Sequence, residues 1–155
     1  MRNLTFFIFI ILLTACTGNS NTKNASDNSS IKMPDANSTL VFEGTLPCAD
    51  CNGIQTTLTL YHNKIKNQNS YKLREVYLNQ NNDKTFDTYG TWSALKGTQQ
   101  DPNAIVYQLA VQNEDPEDPD VINYLVVDKN TLKLIDDEMN EFDSKANYTL
   151  TRKEE

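Results

Sequence analysis

From Leu40 onward, apolar and polar residues alternate with a period of two, the spacing of strands that bury one face. The first predicted strand is Leu40-Val41-Phe42-Glu43-Gly44-Thr45, and the second runs from Ile54 to Leu60 with Ile54, Thr56, Leu58 and Leu60 on one face. The third runs from Tyr71 to Leu78 and changes parity: Tyr71 and Leu73 share one phase, Val76 and Leu78 the other. That change predicts a β-bulge near Arg74-Glu75. Thr85 to Trp92 keeps Phe86, Thr88, Gly90 and Trp92 in phase, and Ala104 to Val111 keeps Ile105, Tyr107, Leu109 and Val111 in phase. Ile122 to Val127, Leu132 to Ile135 and Tyr148 to Arg152 complete the set. Turn residues fill the gaps at Asn79 to Asp83, Lys96-Gly97 to Asn103 and Asp128-Lys129-Asn130. Only Asp136 to Ser144 hints at helix, as a single weak turn. The pattern predicts an all-β fold: a small antiparallel up-and-down barrel of 38–155. Such a barrel closes its own edges around an interior wide enough for side chains or one small ligand.

The first fifteen residues, MRNLTFFIFIILLTA, break this pattern. Arg2 precedes an apolar run from Leu4 to Leu13 that is shorter than the ~20 residues a spanning helix needs. Charge and length fit a secretory signal. The run ends in Leu13-Thr14-Ala15-Cys16, which resembles the lipobox of bacterial lipoproteins. Residues 1–15 are therefore expected to be a lipoprotein signal peptide and Cys16 the lipidated first residue of the mature chain, anchored through its acyl chains. The alternative is a soluble secreted protein with a chance cysteine at that place. Thr17 follows Cys16 where Gram-negative lipoproteins retained at the inner membrane usually carry aspartate. This points to the outer membrane, with the folded part facing the periplasm. Residues 16–37 are rich in Asn, Ser, Thr and Asp and too poor in apolar residues to offset the entropy of ordering. They read as a flexible tether with a reach of ~25 Å.

Composition then excludes some partners. The chain carries 14 Lys+Arg against 21 Asp+Glu, a net charge of −7, and loss of the signal removes one arginine and no acid. That balance argues against nucleic acid and against charge-driven binding to an anionic membrane. No Ser-His-Asp arrangement, phosphate loop or dinucleotide motif occurs, so no enzymatic activity is expected. With Cys16 lipidated, Cys48 and Cys51 remain as an even pair in an oxidising compartment, where a disulfide is the default.

The pair lies in Pro47-Cys48-Ala49-Asp50-Cys51, on a constrained loop between the first two strands, with Asn52-Gly53 as a turn signal. The surrounding run Phe42-Glu43-Gly44-Thr45-Leu46-Pro47-Cys48-Ala49-Asp50-Cys51-Asn52-Gly53-Ile54-Gln55-Thr56-Thr57-Leu58-Thr59-Leu60 resembles the amino-terminal domain of the NlpE family of bacterial outer-membrane lipoproteins. Tyr71 to Leu78, Gly90-Thr91-Trp92, Leu132 to Asp136 and Tyr148-Thr149-Leu150 continue the likeness across the folded part. The resemblance implies a lipocalin-like barrel and a role in envelope stress signalling and copper resistance, relayed to a membrane sensor kinase by protein contact. Some members carry a second, OB-type domain with further cysteines; the chain is expected to be the short, single-domain form.

Three readings of Cys48 and Cys51 stay open: a structural or redox-sensing disulfide, a Cu(I) site when reduced, and a catalytic dithiol. Two thiolates suit Cu(I), whereas zinc wants four ligands and the chain offers one His. Met33 and Met139 are remote in sequence. A thioredoxin-like pair would precede a helix, but here a strand follows. Disulfide formation would block copper, and bound copper would protect the thiols. A further alternative is a lipocalin-like carrier of a small apolar ligand, its cavity lined by Trp92, Tyr71, Tyr77, Tyr107, Tyr124 and Tyr148, although such residues more often form core. His62 reads as a solvated residue at a strand end; the acidic runs 114–120 and Asp136-Asp137-Glu138 read as solvated loops rather than Ca²⁺ sites.

Overall fold

A computed structural model describes residues 38–63, 68–79, 82–111 and 120–154. The expected signal peptide, lipidated Cys16, tether with Met33, and most of the acidic run 114–120 lie outside the described residues. The strands are β1 Thr39–Leu46, β2 Ile54–Asn63, β3 Gln68–Tyr77, β4 Lys84–Lys96, β5 Ile105–Val111, β6 Val121–Asp128, β7 Thr131–Ile135 and β8 Thr149–Arg152. Each pairs antiparallel with its neighbour in sequence, and β1 pairs with β8, so the sheet closes into an eight-stranded barrel. The expected all-β up-and-down barrel is the fold observed. Among the described residues there is no helix; 136–144 forms turns and bends, with Met139 at φ 65°.

Alternation sends one set of side chains inward. Phe42, Leu58, Leu60, Tyr71, Leu73, Trp92, Tyr107, Leu109, Tyr124, Val126, Leu132 and Leu150 fill the barrel. Each fully buried large apolar side chain contributes roughly 1.5–3 kcal/mol by leaving water. Trp92 packs on Tyr107 with ring centroids 5.0 Å apart and donates its indole N–H to the Tyr61 carbonyl at 3.2 Å. Tyr71 of β3 reaches over Gly90 of β4 to donate to the Ala110 carbonyl of β5 at 3.2 Å. Gly90 leaves room for that reach, since a Cβ there would lie 2.8 Å from the Tyr71 ring and 2.3 Å from the Ala110 oxygen. Tyr71, Tyr107, Tyr124 and Trp92 are thus core, while Tyr77 and Tyr148 are only half-buried.

The predicted bulge at Arg74-Glu75 does not form. β3 keeps continuous register with both neighbours, Glu75 standing opposite Thr56 on β2 and Phe86 on β4. The apolar Val76 and Leu78 suggested a switch of face, but unbroken pairing on both sides outweighs two side chains. Among the described residues a register shift occurs instead in β6, between Val126 and Asp128, beside the Lys129-Asn130 turn.

A second, smaller core lies outside the barrel. Val106, Asn123 and Ile135 are buried but point away from the interior phase of Tyr107 and Tyr124. The β7–β8 connection folds over them. Asn123 donates to the Asp136 carbonyl at 3.1 Å and accepts from Gln108 at 3.1 Å, and Gln100 donates to Asn140 at 2.7 Å.

Candidate functional site

The β1–β2, β3–β4 and β7–β8 connections leave the same end of the barrel. The Cys48–Cys51 loop stands there on the β1–β2 connection. Gly53 has φ 139°, and a Cβ would come 2.7 Å from Thr45 Cγ2, so the turn into β2 requires glycine. Asn52 N–H donates to the Leu78 carbonyl at 2.9 Å, and Leu78 N–H donates to the Gly53 carbonyl at 3.0 Å. These bonds fasten the loop to the exit of β3.

Cys48 and Cys51 form a disulfide with Cα atoms 5.3 Å apart. Both are half-buried, and Asp50, exposed between them, holds a carboxylate oxygen 3.5 Å from Cys48 Sγ. The ligand atoms of Cys48, Asp50 and Cys51 lie within 4.8 Å of one another. Oxidised, the pair offers no thiolate and does not suit a soft metal; reduced, it offers two sulfurs and one carboxylate oxygen, a donor set that suits Cu(I) through its thiolates. Met139 is placed elsewhere, in a cavity lined by Gln100, Ile105 and Val127. A polar groove of about 660 Å³ runs beside the loop, along Ala49, Asn52, Asn79 and Lys84.

At the same end a second cavity, of about 440 Å³, opens into the barrel. Leu46, Leu73, Ile122, Tyr124 and Leu134 form apolar and aromatic walls, and Asp136, Asp137, Glu138 and Phe142 lie along the rim. Glu75 projects into it. Burial raises the Glu75 pKa above the usual carboxylate value. Tyr124 is raised by its own burial and then by Glu75; Tyr77 is raised by burial, then by Glu75 and by Asp50. Tyr77 therefore senses both the mouth carboxylate and the aspartate of the disulfide loop. It also packs edge-on against Phe86 at 5.4 Å, and Phe86, although in the inward phase, is 53% exposed because it stands beyond the mouth.

The structure brings together Cys48 and Cys51 and adds Asp50, which the CADC spacing carried in plain view. It moves His62 into β2, half-buried, sharing a 2.6 Å hydrogen bond with Asn69 and lying 6.3 Å from the Trp92 ring. Glu75 was missed because the inferred bulge would have turned it away from the interior. The signal was present in the strict alternation Tyr71, Leu73, Glu75, Tyr77.

The model of the NlpE N-terminal domain matches residues 42–145. Lipoprotein NlpE of Escherichia coli (strain K12) is 29% identical over 110 residues, covering 70% of this chain and 39% of that relative. The chain thus spans well under half the length of that curated relative. No solved structure matches the chain.

Proposed function

The chain belongs to the NlpE N-terminal domain family, and on that premise we propose that it is a lipid-anchored envelope protein that relays stress through protein contact. The observation that carries the reading is the family match over the barrel together with the Cys48–Cys51 loop held rigidly at one rim. In this reading Cys16 carries the lipid, residues 16–37 tether the barrel at the outer membrane facing the periplasm, and the rim meets a membrane sensor kinase. No step of substrate chemistry is assigned to it.

The closeness of Cys48, Asp50 and Cys51 supports a second reading, in which the loop holds copper. If Cys48 and Cys51 are reduced in the envelope, their two thiolates hold Cu(I), and exchange with an oxidised dithiol partner, whose disulfide is reduced by the two electrons they give up, forms the observed disulfide and releases the ion. The lipocalin-like alternative, a neutral apolar ligand inside the barrel, finds the centre occupied by Tyr71, Tyr107, Leu109 and Tyr124. The mouth keeps a space of about 440 Å³.

Mass spectrometry of the native mature protein tests these assignments together. Diacyl or triacyl mass on Cys16 and an oxidised Cys48–Cys51 pair are expected; an unmodified Cys16 would remove the anchor from the reading. In cells, Cys48→Ser/Cys51→Ser should alter stress signalling or copper tolerance, and unchanged values of both would remove the cysteines from it.

A further inference from the structure

Glu75 is the unexplained group of the barrel. It is an inward-phase carboxylate, in line on β3 with the buried Tyr71 and Leu73. Among the described residues no hydrogen bond and no ion pair reaches its carboxylate. Its neighbours across the sheet are Thr56, whose hydroxyl is turned to the Ile54 carbonyl, and Phe86, which offers no donor. A charge placed in an apolar setting without a partner is costly unless something of opposite sign arrives.

The space in front of Glu75 is about 440 Å³, within the range of small-ligand sites. Its described lining contains no lysine or arginine, while Asp136, Asp137 and Glu138 add the same sign at the rim. An anionic ligand is therefore repelled. A neutral apolar ligand would strip water from Glu75 and give nothing back. A cation on an apolar body offsets the desolvation of Glu75 and covers the walls.

We propose that this mouth binds a small amphiphilic cation, its ammonium-type head at Glu75 and its apolar body against Leu46, Leu73, Ile122 and Leu134. The site is separate from the disulfide loop and does not rest on the signalling reading. The raised pKa of Glu75 agrees with it: a bound cation favours the ionised carboxylate and draws that value back down.

The test uses the lipidated full chain in nanodiscs, with empty nanodiscs as blank, and hexyltrimethylammonium as probe. Hexanol and hexanoate serve as neutral and anionic probes of the same length. At pH 7 the cation should bind about tenfold or more tightly than hexanol, and hexanoate should not bind, the selectivity coming from one desolvated charge pair. Glu75→Gln should weaken cation binding about tenfold and leave hexanol binding equal or tighter. Asp50, Tyr77, Lys84, Tyr124, Asp136, Asp137 and Glu138 also face this end, so a wild-type titration is the second measurement. Acidification through the carboxylate range should abolish cation selectivity in the wild type and change little in a folded Glu75→Gln protein. Equal affinity for cation and hexanol, no binding of the cation, or cation binding indifferent to both Glu75→Gln and pH would each overturn the proposal.

Discussion

The two ends of the barrel solve opposite problems with the same alternation of side chains. At one end Trp92, 4% exposed, plugs the interior, packed at a tilt against Tyr107 and hydrogen-bonded to the Tyr61 carbonyl. At the other end the in-phase positions pass from Leu73 to Glu75 to Tyr77, and the apolar filling stops short of the rim. The first end spends its aromatic residues on packing. The second leaves an acidic opening flanked by the disulfide loop. Closure against water is a property of the whole sheet, but the plug is local, so the open end can vary in chemistry while the plugged end carries stability.

The contrast can be broken at the plugged end most forcefully. Trp92→Ala removes the plug and its hydrogen bond and should cost ~3–5 kcal/mol in urea unfolding. Gly90→Ala, one level further in, drives a methyl into the Ala110 oxygen and the Tyr71 ring and should cost about 1–3 kcal/mol, with Tyr71 displaced. At the open end the effects should be smaller. Cys48→Ser/Cys51→Ser opens a very small loop and should cost ~2 kcal/mol at most by the same measurement. Glu75→Gln should stabilise the protein at pH 7, by under about 1 kcal/mol. The sign follows from the raised value: the folded protein binds the Glu75 proton more tightly than the unfolded chain, so this residue's contribution falls as pH rises from about 4.3 through the folded value. The gain from Glu75→Gln should therefore shrink when melting is repeated near pH 4. A gain that is flat with pH would separate the effect from ionisation.

Most of the sheet was legible because it is amphipathic. Ile54, Thr56, Leu58 and Leu60, like Gly90 and Trp92, fall in phase along strands that keep one register from end to end. The cysteine loop was legible from its turn residues, since Asn52-Gly53 needs the conformation that Gly53 adopts. Two features were not. Glu75 was hidden by preferring apolar content over continuity of pairing, a preference that fails where a mouth lets a charge reach water. The outer core of Val106, Asn123 and Ile135 was hidden because its cover, the β7–β8 connection, holds its place through side-chain and carbonyl bonds that no periodicity announces. Val106 in a run of apolar residues gives no sign of which face is covered.

The closing seam carries a consequence for how the molecule is made. Every pairing but one joins strands adjacent in sequence, and these hairpins can zip as the chain appears. The exception joins β1 to β8 through Phe42 with Arg152 and Glu43 with Thr151, across more than a hundred residues of chain. Until β8 has emerged, β1 is an unprotected edge beside an open apolar face, the arrangement most inviting to a wrong partner strand. A chain delivered amino end first must spend the whole interval between the emergence of β1 and that of β8 in that state. A chaperone that shields β1 would be most needed over that interval, and the four residues of β8 end the need for it.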